Sequence, residues 1–279
     1  MLRNISNVVA ELGEGIYIHP VNDYIYWVDI SKNMLFVGNS SSLDTFSFEK
    51  KITTVLFVDD NLVYLTSSRG IEVFNTSTGL MNLVDKTPVL FSSDTFRSND
   101  GVRISDKIYI YGVMNTNTKT TGAVVVSNNN HSYVIDDDIY IPNTFIKLPG
   151  TNDLLISDSL MKKIYKFQFS DDWKKLEGKY IWLDLSGEEF TPDGGCITSK
   201  DRIFIALWDG FKVLEFNTKG DVLNEFKVPV PRPTNCAFNS KENKLYITSA
   251  FEGLSNRKIK KYPLSGSIIA MDITEKNVN

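Results

Sequence analysis

Six polar residues recur along this chain at a near-regular step: Glu14, Thr54, Asn99, Asn143, Asp193 and Asn235. Each stands just ahead of a short apolar run, and the step is about 40–50 residues. Five of the six end in a carboxylate or a carboxamide. Gathered around one axis, such oxygens form a hard-cation site. Ca²⁺ takes six to eight oxygens at about 2.3–2.6 Å, with water completing the shell. Two carboxylates with amides also suit Mg²⁺ or Mn²⁺, and Zn²⁺ is compatible without histidine. Glu14, Asn143 and Asp193 form the strongest set, because inward carboxylates repel one another unless a cation or Arg97 compensates. The plainer alternative is that these residues merely begin strands, since Asn and Asp favour turns.

Other chemistries have little to work with. His19 and His131 are the only histidines; His19 precedes Pro20 and His131 follows three asparagines, so both read as solvated turn residues. A His-ligated zinc site and a Ser-His-Asp triad are therefore poorly supported. Cys196 and Cys236 sit in separate apolar runs and read as buried, reduced thiols in strands.

The elements that must position these oxygens are strands. Runs such as Ile25–Val28, Leu62–Leu65, Ile108–Tyr111, Leu154–Ile156, Ile203–Leu207 and Leu245–Thr248 are rich in β-branched and aromatic residues. Gly, Asn, Asp and Ser punctuate them, and helical periodicity is nearly absent. Each leading polar residue opens a short strand, followed by a turn, a stronger strand and a third strand. Six such units span almost all 279 residues. Units of this length with three or four strands are the signature of propeller blades, so the expected fold is all-β, a six-bladed β-propeller. One domain over residues 1–279 is expected, and Val8–Ala10 is the expected partner that completes the last blade. The first strand of every blade then lines the channel, which places the six polar residues near one mouth.

Composition narrows the partners. The chain is 42% apolar and 23% charged, with a net charge of −4. That balance argues against nucleic acid, whose phosphates require clustered basic residues. No apolar run approaches the roughly 20 residues that span a bilayer. Residues 1–10 lack a signal-peptide pattern, so a cytoplasmic protein with no membrane partner is expected. Oligomeric state stays open; Trp173 reads as an exposed aromatic, at an interface or on ordinary surface.

Several segments resemble the SMP-30/gluconolactonase (regucalcin-like) family. They are Leu12-Gly-Glu-Gly15, Tyr26-Trp-Val-Asp-Ile30, Arg97-Ser-Asn-Asp-Gly101, Tyr111-Gly-Val-Met114, Ile141-Pro-Asn143, Ser157-Asp-Ser159, Pro192-Asp-Gly194, Pro229 to Cys236, Tyr246 to Ala250 and Pro263 to Gly266. They occur in the same order over nearly the whole chain. The resemblance implies a six-bladed propeller with one divalent metal in its channel, Ca²⁺ first, with Zn²⁺, Mg²⁺ and Mn²⁺ as alternatives. It assigns the metal to Glu14, Asn143 and Asp193, and substrate contacts to Arg97 and Asn99. The implied activity is hydrolysis of a small-molecule sugar lactone, with esterase or phosphotriesterase activity in some members. Metal would polarise the carbonyl, and Asp193 would take the proton of the attacking water. A non-catalytic calcium-binding or scaffolding propeller is the competing reading.

Asp29 and Asp100 are expected to be turn or strand-end residues. Asp158 is read the same way, with support for Asn143 as a further role. Thr144 and Gly195 depart from the family pattern, which has Gly and an apolar residue there. The loop Asn115–Thr121 is neutral where some members carry an acidic substrate contact; Asn117 is the nearest side chain. That loop is expected to lid the channel.

Overall fold

The computed structural model describes residues 2–4, 8–39, 41–91 and 93–273. Within them, strands form six antiparallel four-stranded sheets. The first strand in the chain, β1 (Leu2–Asn4), belongs to the last sheet. Blade one holds β2 (Gly13–Ile18), β3 (Ile25–Asp29), β4 (Met34–Gly38) and β5 (Leu43–Ser47). Blade two holds β6 (Ile52–Asp59), β7 (Leu62–Ser67), β8 (Gly70–Asn75) and β9 (Met81–Lys86). Blade three holds β10 (Phe96–Ser105), β11 (Ile108–Asn115), β12 (Ala123–Asn128) and β13 (Ser132–Asp136). Blade four holds β14 (Pro142–Lys147), β15 (Asp153–Asp158), β16 (Lys163–Phe169) and β17 (Leu176–Asp184). Blade five holds β18 (Thr191–Ile197), β19 (Ile203–Trp208), β20 (Lys212–Phe216) and β21 (Val222–Lys227). Blade six holds β22 (Pro233–Asn239), β23 (Lys244–Ser249) and β24 (Ile269–Asp272). One short helix, α1 (Asn256–Lys261), lies between β23 and β24, its N-terminus capped by the Ser255 side chain.

The innermost strands β2, β6, β10, β14, β18 and β22 each touch the next, and β22 touches β2. The molecule is a closed six-bladed β-propeller. Its middle strands are apolar on both faces because each packs against a neighbouring blade on either side; Val124–Val126, Leu154–Ile156 and Ile203–Leu207 are all buried. Outer strands such as β5 and β21 are mostly exposed. The core lies between blades. Val28 and Leu35 meet Val55 and Leu65 between blades one and two. Ile110 and Val124 meet Ile156 and Phe167 between three and four, and Phe204 and Val213 meet Ile247 and Ile269 between five and six.

Two expectations change. The ring is closed by β1 rather than by Val8–Ala10: Leu2 pairs with Met271 and Asn4 with Ile269, antiparallel. Residues 8–12 are needed to carry the chain across blade six to the channel. They are tied by the Ala10 N–H to the Gly266 carbonyl (2.8 Å) and by a bridge from Leu12 to Ala250. Trp173 is not on the surface; it is buried against Phe169 between blades three and four.

The two cysteines are free and lie on the inner strands β18 and β22, their sulfurs 3.9 Å apart. No helix among the described residues is long and apolar enough to cross a membrane.

Candidate active site

Every inner strand breaks register with its neighbour near its leading polar residue. The breaks fall between Glu14 and Tyr17, Val55 and Phe57, Ser98 and Gly101, Asn143 and Ile146, Pro192 and Gly195, and Pro233 and Cys236. A bulge leaves a residue outside the ladder and re-aims its side chain. Four of the six leading polar residues beside these bulges, Glu14, Asn99, Asn143 and Asp193, line one cleft; Thr54 and Asn235 do not.

Backbone at these bulges is crowded. Gly15 has φ +55°, and a Cβ there would lie 2.4 Å from the Thr54 Cα. A Cβ on Gly194 would lie 2.2 Å from the Asn235 side chain. Blade four solves the same problem differently. Thr144 holds φ +58°, a left-handed conformation that a β-branched residue adopts only under strain. Its hydroxyl donates to the Asp193 carbonyl and lies 3.0 Å from Ser157 Oγ. The side chain that departs from the family pattern therefore ties the Asn143 blade to the Asp193 blade.

All five candidate residues, Glu14, Arg97, Asn99, Asn143 and Asp193, line one cleft of about 450 Å³. Asn143 Oδ1 accepts from Asn99 Nδ2 at 2.6 Å, and its Nδ2 donates to Ser159 Oγ at 2.9 Å. Asn99 Nδ2 also donates to the Pro142 carbonyl (3.0 Å), while Arg97 Nη1 donates to Asn99 Oδ1 (2.6 Å). Glu14 Oε2 accepts from the Gly15 N–H at 3.1 Å, and the Asn235 side chain also hydrogen-bonds Glu14.

Charge at this floor is unbalanced. Burial, then the nearby Asp100 carboxylate, push Glu14 up to about 8. Burial, then Glu14 and Asp100, hold Asp193 well above the usual carboxylate range. Burial alone lifts Asp100 to about 6 against four hydrogen bonds that favour its charged form. Arg97 is a cation facing both Glu14 and Asp193, and burial lowers its pKa against their attraction. Three buried carboxylates beside one guanidinium fit a site that gains stability by taking up a cation. Among the described residues no three His, Cys, Asp or Glu cluster at metal-binding spacing. Glu14 and Asp193 with the Asn143 amide could hold a cation, a donor chemistry that suits a hard divalent ion.

Asp100 corrects the sequence reading. It is no turn residue but lies buried within β10, at the bulge. Its carboxylate accepts from the Gly101 N–H (2.8 Å), Thr54 Oγ1 (3.4 Å) and the Phe145 N–H (3.4 Å), joining blades two, three and four. Its position directly after Asn99 was the available signal, because a bulge can send two successive residues to the same side.

Asp29 and Asp158 do end strands, and both do the same work. Asp29 accepts the N–H groups of Glu11 (2.8 Å), Leu12 (3.2 Å), Ser31 (3.0 Å) and Lys32 (3.2 Å). Asp158 accepts those of Tyr140 (2.8 Å), Ile141 (3.3 Å), Leu160 (3.1 Å) and Met161 (3.3 Å). The sequence offsets are the same in both. Each clamps the segment leading into an inner strand, and those strands carry Glu14 and Asn143. Gly13 pairs with Asp29, and Pro142 with Asp158, one residue before each.

Comparison with known proteins shows the family and the fold. A family model described as the SMP-30/Gluconolactonase/LRE-like region matches residues 12–251. The chain belongs to this family. Regucalcin of Bos taurus is 24% identical over 262 residues, 87% of either chain. A calcium-binding protein from Agrobacterium tumefaciens, also a regucalcin, superposes with a TM-score of 0.90 at 21% identity, covering 97% of this chain and 93% of its own. A gluconolactonase of Xanthomonas campestris superposes with a TM-score of 0.79 at 14% identity, covering 98% and 89%. These two structures share the propeller.

The expected lid is absent from the cleft of this family member. Met114 lines it, but none of residues 115–121 does. The loop is curled on itself. Asn115 Oδ1 accepts from the Asn117 N–H (3.2 Å), Asn115 Nδ2 donates to Thr120 Oγ1 (3.0 Å), and the Asn115 carbonyl accepts from the Thr118 N–H (3.0 Å). Several of its polar groups are paired within the segment.

Proposed function

We propose that this protein is a metal-dependent lactonase, a carboxylic ester hydrolase acting on a small lactone. The observation that carries this reading is the convergence of Glu14, Arg97, Asn99, Asn143 and Asp193 on one cleft, in a chain of the gluconolactonase family. Glu14, Asn143 and Asp193 are the residues that would hold the ion. An ion held there would supply a Lewis acid able to polarise the carbonyl and stabilise the negative charge that develops on its oxygen. Asp193 accepts the proton of the attacking water on its carboxylate, then passes it to the ring oxygen as the acyl C–O bond breaks. Arg97 and Asn99, already bonded to each other, hold the lactone in line. Of the ions considered, Ca²⁺ is favoured by the all-oxygen donor set.

Proton release from a panel of lactones, with and without added metal, tests the reading. Metal-dependent turnover that disappears in Asp193→Ala is expected. Full activity in that variant would remove the role given to Asp193. A non-catalytic calcium-binding propeller is the second reading, favoured by the likeness to the calcium-binding regucalcin of Agrobacterium tumefaciens. Tight Ca²⁺ binding with no turnover on any lactone or ester would select it.

A further inference from the structure

Two chemistries meet in the cleft. Its floor is the polar set described above. Its walls carry Leu12, Ile30, Met114, Ile141, Leu160 and Trp208. Leu160 is 44% exposed, an apolar side chain left open at a mouth rather than packed in a core.

Three of the charged groups among these walls already have partners. Asp209 accepts from Arg232 Nε (2.7 Å) and Nη2 (3.2 Å), and the same guanidinium lies 4.6 Å from the centre of the Trp208 ring. Glu252 Oε1 accepts from Ser31 Oγ at 2.7 Å. Lys162 Nζ donates to the Glu188 carbonyl. A polyhydroxylated sugar lactone presents a hydroxyl on nearly every ring carbon, and each hydroxyl taken out of water needs a partner. The floor can serve a few; the walls offer mainly hydrocarbon.

Nor are the walls accidental loop positions. The Asp29 clamp holds the Leu12 N–H, and the Asp158 clamp holds the N–H groups of both Ile141 and Leu160. Two buried carboxylates thus fix apolar residues on opposite sides of the mouth, from blades one and four. A rigid apolar rim above a polar, carboxylate-bearing floor matches a ligand with a reactive ester at one end and a hydrocarbon arm at the other.

We infer that the substrate is a lactone whose ring carries an alkyl arm, with the arm lying on Leu160 and Trp208. This rests on the lactonase reading and specifies its substrate class. The test keeps the ring constant and changes only what it carries: δ-valerolactone, δ-decalactone with its pentyl arm, and glucono-1,5-lactone, each with the full-length protein and Ca²⁺, Zn²⁺, Mg²⁺ or Mn²⁺. The expected kcat/KM for δ-decalactone is at least tenfold above either of the others, equivalent to burying about two methylene groups. In Leu160→Asn the ratio of δ-decalactone to δ-valerolactone falls several-fold.

A higher kcat/KM for glucono-1,5-lactone or δ-valerolactone than for δ-decalactone overturns the alkyl arm and leaves the lactonase reading intact. An unchanged ratio in Leu160→Asn overturns the placement of the arm. No metal-dependent turnover of any of the three overturns both.

Discussion

Replacing Glu14 by Gln should make the metal-free protein more stable, and should do so mainly at high pH. Glu14 is pushed from 4.5 to about 8 by burial and by Asp100. A pKa raised on folding means that the folded state holds its proton more tightly than the unfolded chain. The stability tied to that proton is complete below pH 4.5 and is lost as pH rises through 8. At 1.36 kcal/mol per unit, the deficit from this group is about 4 kcal/mol at pH 8 and about 1 kcal/mol at pH 5. Glutamine keeps an oxygen to accept the Gly15 N–H and carries no charge for Asp100 to repel. For a chain of this length the unfolding entropy is roughly 0.6 kcal/mol per kelvin. Glu14→Gln should therefore raise the melting temperature of chelator-treated protein by roughly 7 °C at pH 8 and by roughly 1–2 °C at pH 5. Circular dichroism or calorimetry at both pH values reads this directly. Millimolar Ca²⁺ at pH 8 should reverse the order, because ligand binding stabilises only the protein that retains the carboxylate. A variant no more stable than wild type at pH 8 in chelator would refute the claim that the floor is electrostatically strained. A variant stabilised equally by Ca²⁺ would refute Glu14 as a ligand.

Substitutions at two further positions probe how the site is held. Asp158→Asn exchanges one carboxylate oxygen for an N–H₂ group among four backbone donors; a loss of about 1–3 kcal/mol in denaturant unfolding is expected, together with weaker Ca²⁺ binding by titration calorimetry. Wild-type Ca²⁺ affinity in that variant would show that the clamp does not position Asn143. Thr144→Ala keeps a Cβ at positive φ and deletes the hydroxyl bonded to Asp193, so it should lose about 1 kcal/mol. Thr144→Gly deletes the same bond but releases about 1 kcal/mol of strain, so it should unfold close to wild type; equal losses in the two variants would argue against strain at this position.

The architecture was legible because its cause is local and repeated. A middle strand that packs on both faces must be apolar throughout, as in Val124–Val126 and Ile203–Leu207, and the turns between such strands must be polar. Six repeats of that pattern leave few folds other than a ring of blades. Near-regular spacing also places Glu14, Asn143 and Asp193 at or beside the bulge of their inner strands, so their approach to one axis follows from the repeat.

Contacts between blades were not legible. Asp100 is buried at a bulge and bonded to blades two and four, and hydropathy patterns do not encode a bulge. Asp29 and Asp158 clamp backbone 17 and 18 residues upstream, a distance that only folding closes. Strand β1, not residues 8–10, closes the ring because the chain must still cross blade six to reach the channel. Periodicity along the chain states which side chains must leave water. Where a polar side chain then points, and which neighbour it meets, is settled by the packing of one sheet against the next.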